Sequence, residues 1–157
     1  LTPITWTWSR LDDLSPRDVY DLLALRNEVF GLEQNCVYQD ADGADMSAWH
    51  LLARNSGATL VAYLRVVDAG VKYPEVSIGR VVNRASYRGH GLGKTLMREA
   101  MQRCEQALGA PAIRISAQAH LESFYSAFGF VRVSENYLED GIPHIEMLYS
   151  PVRKTNL

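Results

Sequence analysis

The stretch Arg88-Gly-His-Gly-Leu-Gly-Lys94 limits what this chain can fold into more than any other. Gly89, Gly91 and Gly93 fall within five residues. The valine-rich segment Val76–Asn83 precedes them and reads as a strand. Leu92, Leu96, Ala100, Cys104 and Leu108 follow at four-residue intervals, one face of a helix that ends near Gly109. A strand, a glycine-rich turn and a helix N-terminus in this order make an anion cradle. Glycine lets the main chain come close to a ligand, and the first N–H groups of a helix have no partner inside it.

Spacing removes two well-known phosphate loops. A Walker loop needs glycine five positions before Gly93, and that position is Arg88. The dinucleotide pattern G-x-G-x-x-G puts its third glycine at Lys94, and no acidic ribose partner follows at the right distance. What remains is Arg88-x-x-Gly91-x-Gly93 running into a helix. This suits a pyrophosphate held by main-chain N–H groups, with Arg88 adding charge at the rim. Each charged hydrogen bond is worth about 1.5–3 kcal/mol, against about 0.3–1 kcal/mol from the helix dipole. A glycine-rich turn that merely starts a helix is the alternative.

Elsewhere, Ile4–Trp8 alternates like a strand. Ser15-Pro16-Arg17-Asp18 announces a helix, with Ser15 as N-cap, Pro16 in the first turn and Asp18 placed to close a capping box. Gly31 reads as its stop. Glu33 to Ser47 is polar loop with a short helix. Trp49–Arg54 and Thr59–Val67 read as strands around Asn55-Ser56-Gly57. Ala112–Ala117 is a short strand, and Leu121–Phe128 a helix closed by Gly129. Phe130–Tyr137 and Ile142–Tyr149 form a C-terminal hairpin around Glu139-Asp140-Gly141, with Pro143 marking an edge or bulge. The fold class is α/β (α+β), a mixed sheet flanked by helices.

At 157 residues the chain is expected to be one domain spanning 1–157. A net charge of -2 gives no general pull toward nucleic acid or an anionic membrane. Cys36 and Cys104 form no CxxC pattern, which suits reduced thiols in the cytoplasm. No apolar run approaches ~20 residues, and LTPITWTWSR lacks a signal-peptide pattern.

The Arg88–Gly93 pattern resembles motif A of the GNAT superfamily of N-acetyltransferases. Gln118-Ala119-His120-Leu121-Glu122-Ser123-Phe124-Tyr125-Ser126-Ala127-Phe128-Gly129-Phe130 is similar to that family's N-x-x-A-x-x-x-Y-x-x-x-G-F segment, departing from it at Gln118 and Leu121. Leu25–Asp45, Ile78–Val82, Ala117–Tyr125 and Glu139–Met147 resemble the ElaA-like branch, in the right order and across most of the chain.

The resemblance implies a GNAT-like fold: a mixed, mainly antiparallel sheet with a splayed central gap between Val76–Asn83 and Ala112–Ala117. It implies acetyl-CoA as co-substrate and no metal. The main chain at Val81 and Val82 would pair with the pantetheine arm, with Gln118 and Tyr125 also against the cofactor. Arg88, Gly89, His90, Gly91, Leu92, Gly93 and Lys94 would hold the pyrophosphate. The implied activity is N-acetyltransfer to a small-molecule or peptide amine, directly, in a ternary complex. A non-catalytic CoA-binding or regulatory module is the alternative, and a homodimer is left open.

Such chemistry needs a neutral amine, a polarised carbonyl and a stabilised leaving thiolate. Tyr125 matches the family's tyrosine acid; read from spacing alone, it is a core aromatic beside Phe124 and Phe128. A main-chain N–H near Val82 would polarise the carbonyl. Glu33 and His120 are the first candidates for the base, ahead of His50 and His144. Each has a structural alternative: Glu33 as a solvated acid, His120 as a helix starter, His50 as a strand cap, His144 as a hairpin brace. Arg80 would pair with an acid such as Glu33 or bind an anionic acceptor. Asp40-x-Asp42-Gly43-x-Asp45 looks like a calcium loop, but Gly43 comes too early and Leu51 stands where the final Glu belongs. A turn network is the better reading.

Overall fold

The computed structural model describes residues 3–151; residues 1–2 and 152–157 of the expected domain lie outside the described residues. Strands β1 (Thr5–Arg10), β2 (Ala48–Arg54), β3 (Leu60–Val67) and β4 (Ser77–Asn83) pair antiparallel in that order. A second sheet contains β5 (Ile113–Gln118), β6 (Phe130–Arg132) and β8 (Ile142–Tyr149), with β7 (Tyr137–Glu139) also paired to β8. The helices are α1 (Pro16–Arg26), α2 (Leu92–Leu108) and α3 (Glu122–Ser126). No helix among the described residues is long and apolar enough to cross a membrane.

β3 is buried along its whole length because a helix covers each face of its sheet. Leu96, Met97, Ala100 and Cys104 of α2 pack with Leu51, Ala53 and Val66. Leu22 and Leu25 of α1 pack with Leu52, Tyr63 and Val82 on the other face. Leu51 and Leu52 join different clusters because strand side chains alternate. Burying one such leucine contributes about 1.5–3 kcal/mol.

The two sheets meet at their edges through a single parallel bridge, Val76 to Ile113, where Arg114 N donates to Val76 O at 2.9 Å. Val76 immediately precedes β4, and Ile113 opens β5. Beyond them no described residue of β4 pairs with β5. The strands therefore part toward their C-terminal ends, where β4 feeds the glycine loop. The splayed central gap is borne out, and it is wide enough to divide the sheet in two.

Some boundaries differ from expectation. Gly31 does not stop α1: the chain continues in wider π-helical turns over Asn27–Glu33, with Gln34 N bonded to Val29 O at 3.0 Å. A Cβ on Gly31 would sit 2.9 Å from Asn27 Oδ1, so close packing accounts for the glycine. Ser15 Oγ does accept from Asp18 N at 3.1 Å, but the Asp18 carboxylate goes to Arg54 at 2.6 Å instead of closing a capping box. A cation is the stronger partner. Leu121–Phe128 narrows to α3, preceded by a 3-10 turn at Ala119–Leu121. Phe130–Tyr137 is two strands, β6 and β7, pairing with opposite ends of β8. Ser134 lies between them, and its Oγ accepts from Glu146 N at 2.8 Å. The C-terminal hairpin turns on Asp140 and Gly141, at φ 51° and 75°. Two successive positive φ values suit a type I′ turn.

Candidate active site

A bulge in β4 shapes the gap. Tyr63 pairs with Val82 and Arg65 with Gly79, so Leu64 of β3 faces two residues of β4, Arg80 and Val81. Arg80 is held at φ 51°, a conformation that costs a non-glycine residue about 1–3 kcal/mol. Bulges re-aim side chains, and here Arg80 and Val81 both line a cavity of about 520 Å³ between β4 and β5.

Tyr125 lines the same cavity from α3 and is 7% exposed. Phe124 and Phe130 stand edge-on to its ring at 5.0 and 6.1 Å. Burial pushes the phenol up to about 12, so it holds its proton at neutral pH. No described residue takes a hydrogen bond with its hydroxyl.

The glycine loop follows the C-terminal end of β4, after a 3-10 turn at Ala85–Tyr87. Gly89 and Gly91 stand at φ 82° and 76°, and a Cβ on either would meet nothing within 4 Å. Gly91 caps α2 without a side-chain hydrogen bond, and Thr95 N is the first to bond back, to Gly91 O at 3.2 Å. The N–H groups of Leu92, Gly93 and Lys94 have no partner inside the helix. Open space and free donors fit an anion. Gly93 has a different reason to be glycine: its Cβ would lie 3.0 Å from Asn83 Nδ2 and 3.7 Å from Phe124 Cζ. Arg88 is bound at its tip by Glu33, Nη1 to Oε2 at 2.7 Å and Nη2 to Oε1 at 3.2 Å. Its Nη2 also donates to Asn83 O at 2.9 Å.

The far end of the cavity is charged. Asp40 takes Arg26 on one oxygen and Arg80 on the other, at 2.8 and 2.9 Å. Asp42 takes Arg65 on both oxygens and Lys72 at 2.8 Å. Asp45 joins Arg26 and Arg65, at 2.8 and 3.0 Å. Arg65 holds the Asp42 carboxyl well below the usual carboxylate range. The Asp40–Asp45 turn network is thus an ion-pair cluster, and among the described residues no group of three His, Cys, Asp or Glu is placed to hold a metal.

Across the cavity, Ser116 Oγ donates to Glu139 Oε2 at 3.2 Å and accepts from Tyr137 OH at 2.6 Å. His144 Nε2 lies 3.2 Å from the same Glu139 oxygen, while its Nδ1 donates to Ile142 O at 2.7 Å.

An acetyltransferase (GNAT) domain pattern matches residues 12–150. The chain belongs to the GNAT acetyltransferase family. A UPF0039 protein of Synechocystis is 42% identical over 93% of this chain and 95% of its own length. Protein ElaA of Escherichia coli is 41% identical over 92% of this chain and 95% of its own. The crystal structure of an acyl-CoA N-acyltransferase from Pseudomonas aeruginosa superposes with a TM-score of 0.88 at 44% identity, covering 94% of this chain and all of that one. The ElaA-like resemblance and the GNAT fold are therefore both borne out. Membership supports acyl-CoA N-acyltransferase activity and a CoA-linked donor.

Within this GNAT frame the expected site residues divide. Val81, Gln118 and Tyr125 line the gap. Gly89, Gly91, Leu92, Gly93 and Lys94 lie outside the cavity lining, in the turn that opens α2, with the Lys94 side chain in solvent. His90 faces another groove, beside Ile4, Trp6 and Tyr87. The Val82 side chain is buried toward α1, beside Leu52 and Tyr63, so only its main chain is available. Glu33 is outside the cavity lining, held by Arg88. His120 is exposed on its 3-10 turn and also outside the lining. Arg80 pairs with Asp40, and more distantly with Asp42 at 3.4 Å, in place of Glu33. His50 is internal, bonded to Tyr63 OH and Asp45 O at 2.7 and 2.9 Å.

Sequence reasoning missed the Ser116–Glu139–His144 cluster. Ser116 and Glu139 are distant in sequence and meet only because β7 folds back along β8, which also pairs with β5. The Asp140-Gly141 turn signalled the hairpin, but nothing in it signalled what the hairpin faces.

Proposed function

We propose that this protein transfers an acetyl group from acetyl-CoA to an amine, directly, in a ternary complex. One observation carries the reading. The strand that leads to the glycine cradle at the start of α2 presents Val81 to the cavity, and Tyr125, buried and neutral, lines the same cavity from α3. The cradle suits the pyrophosphate, and the strand edge at Val81 and Val82 suits the pantetheine amides. The thioester supplies the acyl group.

The chain's own groups then have defined tasks. Main chain at the Arg80–Val81 bulge polarises the acyl carbonyl. Tyr125 holds its proton to about 12. Passing it fully to a thiolate whose thiol titrates near ~8.5 is uphill by roughly 5 kcal/mol, so Tyr125 serves as a hydrogen-bond donor to the developing sulfur charge. Glu139 is half exposed and takes a hydrogen bond from Ser116. It is the proton acceptor for the amine, since Glu33 and His120 stand outside the cleft. A nitrogen–carbon bond forms as the carbon–sulfur bond breaks. The amine's proton goes to Glu139, the sulfur leaves as a thiolate held by the Tyr125 hydrogen bond, and solvent carries the proton from Glu139 to the sulfur.

An acetyl-CoA consumption screen over amines, with Tyr125→Phe as control, tests this. Turnover that depends on Tyr125 is expected. Acetyl-CoA binding with no amine acetylated would favour the CoA-binding module.

A further inference from the structure

The charged end of the cavity has more positive charge than its own carboxylates neutralise. Arg26, Arg65, Lys72 and Arg80 face Asp40, Asp42 and Asp45, four cations against three acids. Arg80 spends Nε on Asp40 and Nη2 on the Asp40 carbonyl and Asp42. No described residue accepts from its Nη1. Tyr38 covers the guanidinium face, with its ring centroid 5.3 Å away, which fixes the plane of the free N–H groups. Lys72 also lines the cavity and makes one contact, to Asp42. Arg65 Nε, buried in the same cluster, finds no acceptor among the described residues. Arg80 Nη1 is therefore a charged donor open to an anionic oxygen, with the Lys72 ammonium on the same cavity.

We propose, resting on the acetyl-transfer reading above, that Arg80 and Lys72 form an anion subsite for an acceptor carrying a carboxylate close to its amine: a free amino acid or a compound of that class. The wall opposite has the reverse sign. Glu139 and Asp140 line it. A cavity with one cationic and one anionic wall has the charge layout of a zwitterion. Arg80 is also the neighbour of Val81 on the bulge. The anchor is therefore next to the place where the acyl carbonyl is polarised, which favours an amine only a few bonds from its carboxylate. The strained φ of Arg80 places the guanidinium there before any acceptor arrives. The products are the N-acetyl amino acid and free CoA.

The test sets a panel of amino acids against their carboxamides and decarboxylated amines, with release of free thiol as the readout. At least one carboxylate form should exceed its carboxamide in kcat/KM by about tenfold to a hundredfold, the yield of one charged hydrogen-bonded pair. Arg80→Gln should shrink that ratio toward one. Lys72→Met, at a side chain 42% exposed, should shrink it partly and serves if Arg80→Gln does not fold. Carboxamides or simple amines reacting as well as the carboxylates would overturn the anion subsite and leave acetyl transfer standing. No turnover with any acceptor, with acetyl-CoA binding intact, would overturn both.

Discussion

Glu33 closes on Arg88 through two contacts, at 2.7 and 3.2 Å, and so occupies the cation of the proposed pyrophosphate loop. The pair is partly exposed, where such bridges are worth about 0–1 kcal/mol. Glu33→Gln should therefore free Arg88 and tighten acetyl-CoA binding by up to about fivefold. Turnover should stay close to the parent value. Calorimetry and steady-state kinetics read the two effects separately. A collapse of kcat would make Glu33 the base after all.

Asp45 is the carboxylate that Arg26 and Arg65 share, at 2.8 and 3.0 Å, with Arg26 fully buried. Removing one member of a buried ion cluster leaves uncompensated charge and costs about 3–5 kcal/mol. Asp45→Ala should lower the free energy of unfolding by that amount in a denaturant titration. A loss under about 1 kcal/mol would mean that water reaches the cluster.

Acidification should act in two stages. Burial, helped by Arg26 and Arg65, depresses His50 below its ordinary value, so the unfolded chain takes up the proton first. The stability this group contributes is complete above about pH 6.5 and is lost as pH falls from there to the lowered folded value. Asp42 is also depressed, by Arg65, so its contribution is complete above about pH 4 and is lost below that. Thermal melts should decline first below about pH 6.5 and again below about pH 4. His50→Gln should flatten the first decline only. A parent Tm constant from about pH 7 down to about pH 4.5 would contradict the buried neutral imidazole.

Much of this was legible in the sequence, for local reasons. The alternation of β1, the Ser15 cap, the four-residue apolar period of α2 and the Asp140-Gly141 turn each depend on neighbouring residues, and each appears. The glycine cradle was legible for the same reason. The failures are non-local. Gly31 reads as a stop until Asn27 is seen against it. Arg80 reads as a partner for Glu33 until the bulge turns it toward Asp40. Ser116, Glu139 and His144 meet through two strand pairings that no spacing rule encodes.

At Gly91 two effects need separating. Any side chain there is strained at φ 76°, and a carboxylate would in addition oppose the cofactor's phosphates. Gly91→Asn bears the strain without the charge. Gly91→Asp should abolish acetyl-CoA binding, while Gly91→Asn should retain measurable affinity. Calorimetry decides: equal affinities for the two variants would remove the loop from the pyrophosphate site.

The central claim is that Tyr125 acts on the leaving sulfur. Tyr125→Phe deletes one hydroxyl and keeps the ring that packs on Phe124 and Phe130. Single-turnover acetyl transfer, measured beside the Kd for acetyl-CoA, tests it most directly. The account predicts that the rate falls by about a hundredfold or more while Kd changes less than about threefold. An unchanged rate would contradict it and leave Tyr125 a core aromatic.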